Sequence, residues 1–373
     1  MDLTGVKIIS SDDHLQEPAD LWARRMPKNL RDRAPQVVRL PDGGDAWVMD
    51  NNPPRAFGVL VSAGRRPDQL KDGGLTWADV PRGSYDPDER LKAMDLDGIS
   101  VTVLYPNVTL DPFMCLVKLG PDVEQPILRA YNDHLAEFCS TDRKRLIGIG
   151  VVPTQDIAQA VAELQHIAKL GLKGALIPVA PPKADWNDPM YEPIWTAAED
   201  LGLVLSIHGG KPRGLPTRNE LAKQPGGNLV YMHIARVSIM EAFAYLFWSG
   251  VFERHPKLKF VSVEGDIGWL PYYKQRSIDI SKKHGAWAGA KLQYPAAHWF
   301  GKSFFATFED DRVGIEQRER IGIDTLLWAS DFPHSSTTWP ESAKAIGHTF
   351  AGVPDDEVRK IVSSNARALY RLD

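Results

Sequence analysis

Eight short β-rich runs, each followed by a stretch with helical spacing, constrain this chain more than any other feature. The runs fall at 6–11, 100–105, 146–152, 172–179, 203–208, 258–264, 304–308 and 325–330. Most are apolar on both faces, as strands of a parallel sheet covered on both sides must be. Between them, residues 157–170 read IAQAVAELQHIAKL, with apolar positions at steps of three and four, and Gly171 supplies the stop. Segments 124–139, 191–201, 238–248 and 341–348 have similar spacing. A β-run and a helix repeated eight times predict an α/β fold, the (β/α)8 TIM barrel, with a doubly wound open sheet as the alternative. Barrels of this length form one domain, so residues 1–373 are read as a single unit.

One segment breaks the alternation. Residues from about 20 to 90 are rich in Pro, Gly and charge, and QVVRLPDGGDAWVMD at 36–50 reads as a hairpin around a Gly-Gly turn. Such a stretch is too long for a plain loop. It predicts an insertion between the first and second barrel strands, over the active-site mouth, where large loops build specificity.

Composition narrows the class. A hydrophobic content of 43%, charged residues at 25% and a net charge of −4 exclude a disordered, collagen-like or coiled-coil chain. The near-neutral balance argues against a nucleic-acid partner. No apolar run approaches the roughly 18 residues that span a bilayer, and MDLTGVKIISSDDH lacks the cationic and apolar regions of a signal peptide. Cys115 and Cys139 are too few for a disulfide framework. The expectation is a cytoplasmic enzyme acting on a small molecule. A homodimer through the aromatic loop around Trp287 and Trp299 is one assembly option; core packing explains those residues equally well.

Four strand ends carry chemistry. The first run leads into Asp12, Asp13 and His14, the fifth into His208, the sixth into Glu264 and Asp266, and the eighth into Asp331 and His334. Asp12 and His14 are two apart, so extended backbone sends both side chains to one face. In a barrel, strand C-termini meet on one face, where active sites are built. Asp12, His14, His208 and Asp331 would converge there as two carboxylates and two imidazoles, a mixed set that suits zinc, manganese or iron with a position left open. Each residue alone has a plainer role: a turn or cap for the aspartates, a hydrogen-bonded core histidine for His208. Glu264 is the candidate general base, with His233 and His334 as further acid–base groups. Lys211, Arg213 and Arg236 follow the fifth run and could bind a substrate anion, although solvated loop charge explains each as well. Trp22, Trp47 and Trp269 could wall an aromatic substrate, or sit in the core.

The opening D-x-H-x-x-E-P at 12–18, the I-H-G-G around His208, the run PKLKFVSVEGDIGWLPYY at 256–273, S-D-F-P-H at 330–334 and S-N-A-R-A-L-Y at 364–370 resemble the amidohydrolase-related family. This branch of the amidohydrolase superfamily includes aminocarboxymuconate-semialdehyde decarboxylase and the γ-resorcylate decarboxylases. The resemblance implies a distorted (β/α)8 barrel with one divalent metal, zinc placed first and manganese or iron as alternatives. It puts the family's first metal pair, usually H-x-H or E-x-H, on Asp12 and His14, and the later ligands on His208 and Asp331. Asp12 departs from that pattern. So does Glu264, which stands where well-known decarboxylases of the family carry a histidine.

That second departure favours a hydrolase, in which metal-activated water attacks a small aromatic or conjugated substrate while Glu264 manages the proton. The alternative is a metal-dependent, non-oxidative decarboxylase of an aromatic or unsaturated carboxylic acid. A third reading is a non-catalytic binding barrel that has lost its metal.

Overall fold

The computed structural model describes residues 4–50, 52–110, 119–210, 216, 218–289 and 291–373. Eight parallel strands form the barrel: β1 (Ile8–Leu15), β2 (Ile99–Pro106), β3 (Leu146–Val151), β4 (Gly174–Ile177), β5 (Val204–His208), β6 (Lys259–Val263), β7 (Phe304–Phe308) and β8 (Leu326–Trp328). They are hydrogen-bonded in chain order, as right-handed β–α–β connections require. Seven of the expected runs meet their strands to within a few residues. The first extends further than expected, so that Asp12, Asp13 and His14 lie inside β1 rather than beyond it.

The reason is how the barrel closes. From Ser10 to Asp13, β1 advances three residues while β2 advances two from Thr102 to Leu104, a bulge with one extra residue. Beyond the bulge, the turn after β8 bonds to β1: the Asp331 amide donates to Asp12 O at 2.9 Å, and the His14 amide to Phe332 O at 2.6 Å. The Asp13 carboxylate ties the seam together. It accepts from Ser10 Oγ (2.9 Å), Ser330 Oγ (2.8 Å), the Phe332 amide (3.0 Å) and Thr102 Oγ1. Arg90, also buried, places Nη1 3.9 Å from Asp13, donates to Gly83 O and His14 O, and lies 4.6 Å from the Phe332 ring centroid.

Residues between β1 and β2 form the expected insertion. Gln36–Arg39 pairs antiparallel with Asp45–Val48, which pairs with Arg55–Ala56. Its core is aromatic: Trp22 and Trp47 meet edge to face at 5.6 Å, and so do Phe57 and Trp77. Trp22 and Trp47 are therefore packing residues and not cleft walls. The insertion is stitched to the turn after β8 by Ala63 N to Pro333 O (2.9 Å) and Ser335 N to Val59 O (2.8 Å).

The helix Gly227–Ser249 is long and apolar enough, by length and composition alone, to cross a membrane, a stretch the sequence reading passes over. Ile239, Phe243, Leu246 and Phe247 on it pack into the core, whereas Leu229, Val230, Met232 and Val237 are exposed. Trp299 is buried and stacks on Phe252, while Trp287 is exposed, so only the latter is available to a partner. Cys139 is buried with a free thiol, and Cys115 lies outside the described residues.

Asp13→Asn removes the charge that balances buried Arg90. Leaving one member of a buried pair uncompensated costs about 3–5 kcal/mol. Urea unfolding is expected to show a loss of that size; a loss below about 1 kcal/mol would mean that Asp13 does not hold the seam.

Candidate metal centre

Asp12, His14, His208 and Asp331 meet at the C-terminal mouth of the barrel, all buried. His14 Nε2 lies 3.5 Å from Asp12 Oδ1 and 3.5 Å from Asp331 Oδ1. His208 Nε2 lies 3.3 Å from His14 Nε2 and 3.7 Å from Asp12 Oδ1. Nδ1 of His14 donates to Pro106 O at 2.8 Å, so its Nε2 carries the lone pair that points into the cluster, the usual arrangement of a ligating imidazole.

These groups do not satisfy one another. Both carboxylate oxygens of Asp12 and Oδ1 of Asp331 are buried without a hydrogen bond. Burial pushes Asp12 up to about 7, although His208 opposes it. Burial would lower His208, but Asp12, Glu264 and Asp331 outweigh it and carry the imidazole up to about 9. His14 is held well below its ordinary value by burial and by His334 and His208. Two facing imidazole nitrogens and unsatisfied carboxylate oxygens form a donor set that a divalent cation would satisfy. Asp12, His14 and His208 each bring a ligand atom within 4.8 Å of the others; so, separately, do His14, Glu264 and His334.

The turns that supply the acids are strained. Glu264 (φ 51°), Asp266 (φ 53°) and Asp331 (φ 58°) all occupy the left-handed region, sparsely used by residues other than glycine and concentrated at functional sites. Several contacts hold the turn after β6. The Glu264 amide donates to Thr307 Oγ1 at 3.0 Å, and Trp269 Nε1 to Gly265 O at 2.9 Å. Asp311 Oδ2 accepts from the Ile267 and Gly268 amides at 2.8 and 2.6 Å. Trp269 thus props the turn. Glu264 Oε2 lies 3.5 Å from His208 Nε2.

His334 joins the cluster from the turn after β8. Its ring stacks on His14 with centroids 3.9 Å apart. Nδ1 lies 2.8 Å from Asp331 Oδ1, and Nε2 2.7 Å from Asn107 Oδ1. Asn107 donates from Nδ2 to Gln16 Oε1 (3.2 Å) and Leu60 O (3.4 Å), so its Oδ1 must accept from His334. Nε2 of His334 is then a donor, and a proton on Nδ1 would complete an imidazolium facing Asp331. Burial opposes that charge, and Asp331 outweighs burial and raises the imidazole.

A cleft of about 630 Å³ opens onto the centre, lined among others by Arg55, Leu60, His233, Arg236, Glu264 and His334. His233 is exposed, sits inside the helix Gly227–Ser249 rather than before it, and lines this cleft without joining the buried cluster of ligand atoms. Arg236, one turn on, places Nη1 3.7 Å from Glu264 and Nε 3.3 Å from Asp266. Lys211 and Arg213 lie outside the described residues.

Sequence reasoning missed two residues that its own strand-end rule would have found. Asn107 directly follows β2, and Glu309 directly follows β7. Glu309 is buried, Oε1 has no hydrogen bond, and burial together with Asp331 and Glu264 raises it well above the carboxylate range. Glu17 proves to be a clamp on the loop after β2: it accepts from the Val108 amide at 2.9 Å and the Thr109 amide at 3.2 Å.

The amidohydrolase family matches residues 19–372 of this chain. A γ-resorcylate decarboxylase from a Rhizobium species is 29% identical over 334 residues, which cover 82% of this chain and 95% of that one. The solved structure of an amidohydrolase from Mycobacterium avium subsp. paratuberculosis superposes with a TM-score of 0.79 at 21% identity, covering 98% of this chain and 99% of the other. A dihydroxybenzoic acid decarboxylase from a Polaromonas species, solved with bound manganese and an inhibitor, gives a TM-score of 0.63 at 20% identity over 98% and 97% of the two chains.

The expectation of a hydrolase is overturned here, because the sequence relatives that match along most of the chain are γ-resorcylate decarboxylases. The argument for hydrolysis rested on Glu264 standing in for an imidazole after β6. His334, expected only as a further acid–base group, stacks on His14 and so brings another imidazole to the same cluster from the turn after β8. The fold and the matched length agree on descent, and this chain, an enzyme of the amidohydrolase superfamily, belongs to the amidohydrolase family.

Proposed function

We propose that the protein is a divalent-metal-dependent, non-oxidative decarboxylase of a hydroxylated aromatic or unsaturated carboxylic acid. The observation that carries this reading is the 29% identity to a γ-resorcylate decarboxylase over 95% of that chain. The site chemistry supports it. Asp12, His14, His208 and Asp331 are the assigned ligands. A cation held by them would supply Lewis acidity for the substrate's carboxylate and a neighbouring oxygen. Manganese, the ion in the Polaromonas structure, is the first metal to test, and zinc the second. The substrate is a small molecule, and we place its turnover in the cytoplasm.

The reaction needs no oxidant. The bond between the ring or chain carbon and the carboxylate breaks, CO₂ leaves, and the electron pair stays on that carbon, which takes a proton. Glu264 is assigned to relay that proton from solvent, which reaches it through the open cleft. Its side chain is 21% exposed, which leaves it access to both. His334 and Asn107 keep Asp331 oriented, and Ser336 adds a hydrogen bond to Asp331 Oδ2. Leu60 and Leu110 offer the apolar walls an aromatic ring requires.

Metal-stripped protein reloaded with manganese or zinc is expected to release CO₂ from a member of a panel of hydroxybenzoates and conjugated acids. No incorporation of ¹⁸O from solvent into the organic product is expected. A panel that yields no CO₂ with either metal would reject the assignment.

Two substitutions separate the roles. Asp331→Asn should lower metal affinity and activity together, with partial recovery in excess metal. Glu264→Gln should keep its metal and lose roughly 10²–10⁴-fold in turnover, the usual scale for acid–base groups. A folded, metal-loaded Glu264→Gln enzyme with full turnover would move the proton to His334 or His233.

A further inference from the structure

Arg236 meets two carboxylates of its own chain before any substrate arrives. Nη1 stands 3.7 Å from Glu264 Oε1 and Nε 3.3 Å from Asp266 Oδ2. The two acids flank Gly265 on one turn, both in left-handed backbone, so the guanidinium spans that turn from the facing helix. Asp266 is anchored independently of the metal centre, because its neighbours Ile267 and Gly268 are bonded to Asp311. Arg236 is thus a fixed cation on one side of Glu264.

The other side of Glu264 faces the metal centre. Oε2 is 3.5 Å from His208 Nε2, and a Glu264 oxygen lies within 4.8 Å of ligand atoms on His14 and His334. That is the reach of a ligand. A carboxylate so placed is drawn towards a divalent cation, since opposite charges attract strongly in a partly dry site. Were it to bind, it would occupy a position that the substrate needs. A guanidinium fixed opposite competes for the same carboxylate without blocking the centre.

We propose that Arg236 is a positioning residue which holds the Glu264 carboxylate outside the metal's ligand set, so that a coordination position stays open for the substrate. Arg236 is then not the substrate's anion-binding residue, because its charge is already engaged by Glu264 and Asp266. The proposal rests on the assigned metal centre; only its kinetic consequence rests on the decarboxylase reading.

The test is isothermal titration of Mn²⁺ into metal-stripped protein. Arg236→Gln frees Glu264 to bind, so Mn²⁺ affinity should rise by roughly tenfold, the low end of the range for changes around a metal's ligands. Adding Glu264→Gln to Arg236→Gln should return the affinity to the wild-type value. Glu264→Gln alone should leave it at the wild-type value, and this arm decides the matter if Arg236→Gln does not fold. Unchanged or weaker Mn²⁺ binding in Arg236→Gln, or weaker binding in Glu264→Gln alone, overturns the proposal. With a substrate that yields CO₂, Arg236→Gln should lose turnover while KM stays within about twofold; a raised KM at unchanged turnover would restore the anion-binding role. A wild-type enzyme that releases no CO₂ would sink the decarboxylase reading and leave the calorimetric outcomes standing.

Discussion

The buried ion pair of Asp13 and Arg90 is the constraint on which the site depends. A barrel must close between its first and last strands, and here the seam is also where the reactive groups lie. Asp13 bonds to β1, β2 and the turn after β8 at once. Asp12 and His14 flank it in sequence, and Asp331 follows Ser330, which donates to it. One carboxylate therefore sets the distances among three of the four proposed ligands. Such a group is hard to replace: taking away either charge leaves the other stranded in the core.

Charge then explains the rest of the mouth. Asp12, Glu264, Asp266, Glu309 and Asp331 gather at the ends of four neighbouring strands. Three of them sit on strained turns, so folding holds like charges close together at a cost. Counter-charges among the described residues include the His208 imidazole beside Asp12, the His334 imidazole beside Asp331 and the guanidinium of Arg236 beside Glu264 and Asp266. The unsatisfied oxygens of Asp12 and Asp331 mark where a further one belongs. On this view the acids are divided between those that hold a cation and those kept from it.

Descent and chemistry are legible at different levels. The family match begins at residue 19, beyond Asp12 and His14, so the place of those two in the centre rests on geometry. The barrel and its metal-suited mouth are common to many reactions, and reaction type depends on which side chain handles the proton and where. The single-position argument from Glu264 to hydrolysis failed for that reason. It weighed one strand end when the pocket pools the ends of eight.

By itself the sequence determined the eight-fold alternation, the insertion with its hairpin at 36–50, and the convergence of Asp12, His14, His208 and Asp331. These follow from local causes: periodicity marks strands and helices, and the barrel's geometry sends every strand's C-terminus to one face. What only the tertiary structure decided are relations between residues far apart in the chain. Trp22 and Trp47 went to the insertion's core, His334 found its partner in Asn107, and Asp13, which reads as a turn residue, became the seam. Arg236 reads as a loop cation but lies on a helix opposite two acids. No local pattern encodes these outcomes, because each depends on which side chain occupies the facing element when the barrel closes.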